Sequence, residues 1–293
     1  MHTIRRPKRL TAAAAIAVAL VLTALAGCTP APDTYVALCD SYVAGPLIPN
    51  QSLSPLGCLR SDKNYPSLTR SGINVSRFKD VSCSGAQTED FYQAQDVTPG
   101  PANAPQLDAL DGRTKVVTVG IGGNDIGFSD IVKTCALQNP FGSGCKADYV
   151  HDGRDELRER IAVTAPDVRQ AFADIKARAT KAEIFVVGYP TVVPASGNGC
   201  YPRVPLLPQD VPYLRDIANA LNTMIAQQAA AEGVRYVDVA TPSIGHDVCA
   251  SSSQRWVEGI IPTAPAAPVH PNAKGMAATA SVVTAAINQV VTS

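Results

Sequence analysis

The chain has 293 residues, is 46% hydrophobic, and balances 25 Lys and Arg against 25 Asp and Glu. That length suits one large α/β domain or two small ones. With no basic excess, and no basic run beyond residue 9, it lacks the electrostatic footprint of a nucleic-acid-binding protein.

The chain opens on Arg5, Arg6, Lys8 and Arg9, followed by an uncharged stretch rich in Ala, Leu and Val over residues 11–26. A charged start, a short apolar run and small residues beyond it mark a secretory signal. The run is shorter than the ~20 apolar residues of a spanning helix. Leu25-Ala26-Gly27-Cys28 resembles the bacterial lipoprotein signal. That resemblance implies removal of residues 1–27, a lipid on Cys28 and a protein exported and tethered outside the cytoplasmic membrane; an ordinary secreted protein cut nearby is the alternative. Removal leaves 21 basic and 25 acidic residues, a net charge of −4. No other stretch is apolar enough to span a membrane. A Pro-rich tether over residues 28–33 leads into one expected domain, residues 34–293.

Strand and helix patterns then alternate. Tyr35-Val36-Ala37-Leu38-Cys39 reads as a first strand delivering Asp40-Ser41 to its C-terminal end. Residues 75–82 are a second strand, and residues 115–121 a third, apolar enough to be buried on both faces. Residues 155–180 carry Leu157, Ile161, Val168, Phe172 and Ile175 at helical spacing. Residues 183–188 form a fourth strand, 211–232 a helix closed by Gly233, and 236–239 a short last strand. Residues 271–291 read as a final helix, with Pro271 in its first turn. Five strands separated by helices give a parallel, doubly wound sheet. The long connections 45–63, 135–153, 190–209 and 241–268 are rich in Pro, Gly and Ser, and loops of this length inside a domain are often functional.

Seven cysteines remain beyond Cys28, and export permits disulfides. Cys135 and Cys145 flank a Gly-rich loop; Cys58–Cys83 and Cys200–Cys249 would complete three pairs, all in loops. An odd thiol is then left over at Cys39, in a strand expected to be buried. Spacing does not fix the connectivity. No Cys/His cluster has zinc spacing, and no metal or cofactor is expected.

In open α/β sheets, ligands bind beyond the carboxyl ends of the strands. Asp40-Ser41, Ser82-Cys83-Ser84-Gly85-Ala86 and Gly122-Gly123-Asn124-Asp125 end the first three strands, and His270 follows the loop after the last. A serine hydroxyl needs a base to become a nucleophile, and histidine titrates near neutrality. The N–H groups of Ser41 and Gly85 and the Asn124 amide are candidate donors to an oxyanion. Asp125 breaks any Gly-x-Gly-x-x-Gly pattern, and no Gly-x-Ser-x-Gly elbow is present. His246 and His151 read as loop histidines, and Trp256 as packing rather than lining of an acyl pocket.

Asp40-Ser41, Gly85, Gly123-Asn124-Asp125 and His270-Pro271-Asn272 resemble, in order, the four blocks of the SGNH (GDSL-type) hydrolases. Arg60-Ser61, Asn64-Tyr65-Pro66-Ser67, Cys83-Ser84-Gly85-Ala86 and the three-disulfide pattern resemble the secreted actinobacterial esterase, lipase and phospholipase branch. The resemblance implies a flavodoxin-like three-layer sandwich around a five-stranded parallel sheet. It further implies a metal-free serine esterase with Ser41 as nucleophile, His270 as base, and an oxyanion hole from Ser41, Gly85 and Asn124. Two positions depart from the pattern. Cys39 stands where the family has glycine. Ala267 stands three residues before His270, where the family has aspartate; members of this branch use a backbone carbonyl to hold the histidine. The Ala267 carbonyl is the expected orienter and Pro268 the second choice, ahead of Asp247 or Asp238. The expected protein is a monomeric ester hydrolase acting outside the membrane on a lipid or acylated glycan, through an acyl-enzyme. A carbohydrate O-acetyl esterase of the envelope and a silent acyl- or glycan-binding lipoprotein are the alternatives.

Overall fold

The near-continuous apolar strands and amphipathic helices assemble into a layered α/β fold. The computed structural model describes residues 1–3, 33–136 and 138–291. Two units, Met1–Ala31 and Pro32–Ser293, divide the chain. Residues 4–27 of the expected signal sequence, Cys28 and the tether through residue 32 lie outside the described residues.

In chain order the elements are β1 (Thr34–Cys39), α1 (Ser41–Ala44), α2 (Tyr65–Arg70), β2 (Arg77–Asp80), β3 (Thr114–Gly120), α3 (Phe128–Ala136), α4 (Lys146–Tyr149), β4 (Val150–His151), β5 (Arg154–Asp155), α5 (Glu156–Arg178), β6 (Glu183–Val187), α6 (Val211–Glu232), β7 (Arg235–Val237) and α7 (Ala273–Asn288). The main sheet has the order β2-β1-β3-β6-β7, and every pair in it is parallel. Alternation along the strands divides the core in two. Val36 and Leu38 of β1 pack with α5 and α6, through residues such as Phe172 and Leu221. Tyr35, Ala37 and Cys39 pack on the other face with Tyr65 of α2 and Met276 and Val283 of α7. The result is the expected three-layer sandwich.

Sequence periodicity located the long elements, with two boundaries to correct. Strand β2 is four residues rather than eight. The final helix begins after Pro271, because the Asn272 side chain accepts from the Lys274 and Gly275 N–H groups at 3.0 and 3.1 Å and caps it. Pro271 instead bridges to Val257 just outside the helix. The short helices α1, α2, α3 and α4 and the β4–β5 hairpin were not foreseen; spans of two to nine residues are too brief to show a period.

Cys58–Cys83, Cys135–Cys145 and Cys200–Cys249 are disulfide-bonded, and each staples a loop near the C-terminal edge of the sheet. Cys39 is free and fully buried. Its Sγ accepts the Gly120 N–H at 3.1 Å and lies 3.9 Å from the Tyr65 hydroxyl. Burial pushes the thiol well above its ordinary pKa, with the nearby Asp40 and Asp80 carboxylates adding to the shift. A buried, protonated thiol is a poor nucleophile. In protein lacking residues 1–28, a thiol-specific disulfide reagent should therefore find no reactive thiol in the folded state and one per chain in denaturing guanidinium. Rapid native labelling would contradict this placement.

Candidate active site

Strand β1 ends at Cys39, and the buried carboxyl of Asp40 just beyond it caps α1 by accepting the Tyr42 N–H at 2.9 Å. Ser41 is thus the first helical residue, and its N–H has no acceptor among the described residues, as expected at a helix start. The turn after β2 brings Gly85 alongside with φ +82°, a conformation suited to glycine. Arg60 and Asn64 fix that turn. The Arg60 guanidinium donates to the Ser82 carbonyl at 2.8 Å and pairs with Asp80, which also accepts from the Asn64 amide at 2.6 Å. The Gly85 N–H is likewise without an acceptor among the described residues. Beyond β3, the Asn124 amide donates to the Ala86 carbonyl at 2.8 Å, and Gln87 donates to the Asn124 carbonyl at 3.0 Å. Asp125 accepts from the Thr88 N–H and hydroxyl at 2.9 and 2.6 Å, locking this loop to the preceding one rather than capping a helix.

His270 arrives from the far end of the chain. Its Nε2 lies 2.8 Å from Ser41 Oγ, and its Nδ1 lies 2.7 Å from the Pro268 carbonyl. A carbonyl only accepts, so Nδ1 carries the proton and the Nε2 lone pair faces the serine. The orienter expected at Ala267 is corrected to Pro268. The Ala267 carbonyl accepts the His270 backbone N–H at 3.2 Å, closing a turn, and is directed away from the ring. Val269 within this turn has φ +59°, a strained conformation for a β-branched residue. The Tyr42 hydroxyl donates to its carbonyl at 2.6 Å and holds it there. Asp238 and Asp247 are engaged in their own turns, accepting from Ala240 and Cys249 respectively.

Aromatic rings surround the imidazole: Tyr42 lies 4.9 Å away and Phe128 meets it edge-on at 6.1 Å. Burial lowers the His270 pKa, with the Pro268 carbonyl opposing the shift. His270 is therefore neutral, and basic, at pH 7. Asp40 shows the opposite response: burial raises its pKa to about 7, against hydrogen bonds from Tyr189 and Tyr42 that lower it.

The loop carrying His270 rests on a buried polar cluster that sequence reasoning missed. Glu258 accepts from the Thr263 N–H at 2.8 Å, from Arg255 at 3.3 Å and from the Asn272 amide at 2.6 Å. Its own N–H donates to the His270 carbonyl at 2.9 Å. Tyr189 was also missed; its hydroxyl donates to Asp40 and accepts from the Gly123 N–H. The only signal was its place at the end of the fourth strand, level with the other three blocks.

Ser41 and Asn124 face an apolar cleft. Ile131 and Val132 of α3 and Leu214, Ile217 and Leu221 of α6 line it, the last three lying on one helical face. His246 is elsewhere: it stacks on Trp256 at 4.1 Å and contacts the Gln254 carbonyl at 2.6 Å. Trp256 is not among the cleft residues. Among the described residues, no group of three His, Cys, Asp or Glu is placed to hold a metal.

A sequence profile described as the GDSL-like Lipase/Acylhydrolase family matches residues 37–278. "Lipase 2" of Streptomyces coelicolor is 40% identical over 283 residues, covering 93% of each chain. A lipase of Streptomyces rimosus is 34% identical over 279 residues, covering 91% of this chain and 95% of its own. Among solved structures, the extracellular lipase of Streptomyces rimosus superposes with a TM-score of 0.73 at 30% identity. Phospholipase A1 of Streptomyces albidoflavus NA297 superposes with a TM-score of 0.72 at 28% identity. Each covers 87% of this chain and 99% of its own.

Two outcomes follow from the buried carboxylates. Glu258→Ala strands the Arg255 charge and removes three other bonds; breaking a buried pair this way costs about 3–5 kcal/mol. Urea unfolding followed by circular dichroism should show that loss, and a change under about 1 kcal/mol would refute the cluster's role. For Asp40, a pKa raised in the folded state means stabilisation that is complete below about pH 4 and is lost as the pH climbs through about 7. Asp40→Asn should remove this part of the fall in stability between those limits; an unchanged slope would contradict the shift.

Proposed function

The chain belongs to the GDSL-like lipase/acylhydrolase family and is a serine ester hydrolase, and we propose that Ser41 is its nucleophile and His270 its general base. The observation that carries this is the 2.8 Å contact between Ser41 Oγ and His270 Nε2, with Nδ1 anchored on the Pro268 carbonyl. As Ser41 Oγ bonds to the ester carbonyl carbon, Nε2 takes its proton and the carbonyl oxygen becomes an oxyanion. The Ser41 and Gly85 N–H groups and the Asn124 amide are the proposed donors to that oxygen, a single good donor contributing about 3–4 kcal/mol. Collapse breaks the C–O bond, and the imidazolium returns its proton to the leaving alcohol. Water then attacks the acyl-enzyme with the same base and releases the acid.

The cleft supports a fatty acyl substrate over an acetylated sugar. Its walls are almost entirely aliphatic and aromatic, which suits a hydrocarbon chain and offers few partners to sugar hydroxyls. Relatives are described as lipases and as a phospholipase A1, which fits the same reading. We place the enzyme outside the cytoplasmic membrane, held by a lipid on Cys28, from the sequence of residues 1–28.

The test is a p-nitrophenyl ester series from acetate to palmitate. Ser41→Ala and His270→Ala should each lower kcat/KM by at least about 10⁴-fold, whereas His246→Ala should stay within about twofold, since it lies apart from the reacting atoms. Specificity should rise beyond acetate, and Ala218→Phe, which fills the cleft from α6, should shift it back toward short chains. Full activity in Ser41→Ala would end the mechanism. A preference for acetate in the wild type would end the fatty-acyl reading.

A further inference from the structure

We propose that Tyr189 is a positioning residue for the oxyanion hole, a strut that fixes the separation between the nucleophile's end of the hole and the Asn124 end. The inference rests on the reading of Ser41 and Asn124 given above. Its hydroxyl forms a two-sided bridge. It donates to Oδ2 of Asp40, the residue immediately before Ser41, and accepts the N–H of Gly123, the residue immediately before Asn124, at 2.8 Å. One phenolic oxygen thus joins the C-terminal ends of β1 and β3, at the residues immediately before two of the three proposed oxyanion donors.

Three further observations mark a built strut rather than incidental packing. The Gly123 backbone lies outside the left-handed region, so its dihedrals admit alanine; what excludes a side chain is Tyr189 itself. A Cβ at Gly123 would sit 2.9 Å from the phenol oxygen and 3.1 Å from Cζ. The strut is anchored at its base, because Asn222 of α6 brackets the Tyr189 backbone, accepting its N–H at 2.8 Å and donating to its carbonyl at 2.9 Å. The ring is braced by Tyr42, edge-on at 5.2 Å. Tyr189 is almost fully buried.

The bridge has a fixed polarity. The Gly123 N–H can only donate, so the phenol oxygen accepts on that side, and its own hydroxyl hydrogen goes to Asp40 Oδ2 on the other. Asp40→Asn keeps an oxygen for the Tyr42 cap but presents an NH₂ to the phenol, leaving two donors facing each other. Tyr189→Phe removes the oxygen and leaves the Gly123 N–H without a partner. Either change frees the two ends of the hole to drift. Displacements of about 1 Å in such a site cost roughly 100-fold in rate.

The experiment measures kcat and KM on p-nitrophenyl butyrate for wild type, Tyr189→Phe, Asp40→Asn and the double variant. Affinity for an alkyl trifluoromethyl ketone, which forms an oxyanion-bearing hemiketal with a reactive serine, is measured alongside. Tyr189→Phe should lower kcat about 10- to 100-fold, leave KM within about twofold, and weaken the ketone by the same factor as kcat. The double variant should be no worse than the poorer single one, since both break one chain. Gly123→Ala, which pushes the phenol away without touching it chemically, should reproduce the Tyr189→Phe pattern and serves if Asp40→Asn does not fold. Wild-type kcat in Tyr189→Phe, a loss confined to KM or thermal stability, or additive effects in the double variant would overturn the strut. An alkyl phosphonate separates this from failure of the underlying reading: if it does not label Ser41 in the wild type, the nucleophile assignment falls. If wild type labels and turns over but Tyr189→Phe is unaffected, the strut alone falls.

Discussion

The proposed chemistry depends on one hydrogen bond between residues 229 positions apart, from Ser41 to His270. Neither end is free to find the other. Ser41 is fixed because β1 lies between two parallel neighbours, with Cys39 level with Gly120 of β3 and its carbonyl bonded to the Cys83 N–H beyond β2. His270 is fixed because the loop before α7 is tied down on both sides. Its carbonyl accepts from Glu258, Asn272 caps α7 while donating to the same Glu258, and Tyr42 holds the strained Val269. Tyr42 follows Ser41 directly, so the helix turn of the proposed nucleophile reaches across to secure the proposed base.

A neutral orienter alters the electrostatics without altering the geometry. The Pro268 carbonyl selects the tautomer as a carboxylate does, yet supplies no formal charge to an imidazolium. Burial among Tyr42 and Phe128 lowers the histidine's pKa, and the Pro268 carbonyl opposes that shift without cancelling it. The compensation we propose is on the oxyanion side, with the Ser41 and Gly85 N–H groups, which have no acceptor among the described residues, and the Asn124 amide as donors. In the proposed mechanism charge is managed there more than at the histidine, and rigid spacing between those donors matters correspondingly more.

What could be read from the sequence was whatever has a local signature. The apolar runs of β1, β3 and β6 and the helical spacing of α5 located the sheet and its layers, and strand ends brought the four motif blocks to one edge. Long-range polar contacts left no such trace. Glu258 was visible only as the nearest upstream carboxylate, and nothing local says that it holds Asn272 rather than His270. Gln106 is equally silent in sequence, yet its amide brackets the Cys39 backbone at 2.7 and 3.0 Å, completing the bonding of β1 past the end of β2. The choice of Ala267 over Pro268 failed for a related reason. The turn's direction is set by Val269 in a conformation that its residue type disfavours, held by tertiary bonds such as those from Tyr42 to its carbonyl and from its N–H to Gly259.

The two departures from the family pattern prove to be of different kinds. Cys39 replaces a glycine at a position whose side chain points toward α2 and α7, away from the cleft, because successive strand residues alternate faces. Its sulfur is accommodated there by a backbone contact, the Gly120 N–H of the facing strand donating to Sγ at 3.1 Å. The substitution is therefore absorbed in the opposite layer of the core and leaves the reacting face unchanged. Ala267 removes a charge from the reacting side itself, and the structure meets that by turning the Pro268 carbonyl onto the imidazole. The first change concerns packing and the second electrostatics, so their consequences should separate: one in stability and thiol accessibility, the other in the protonation behaviour of His270.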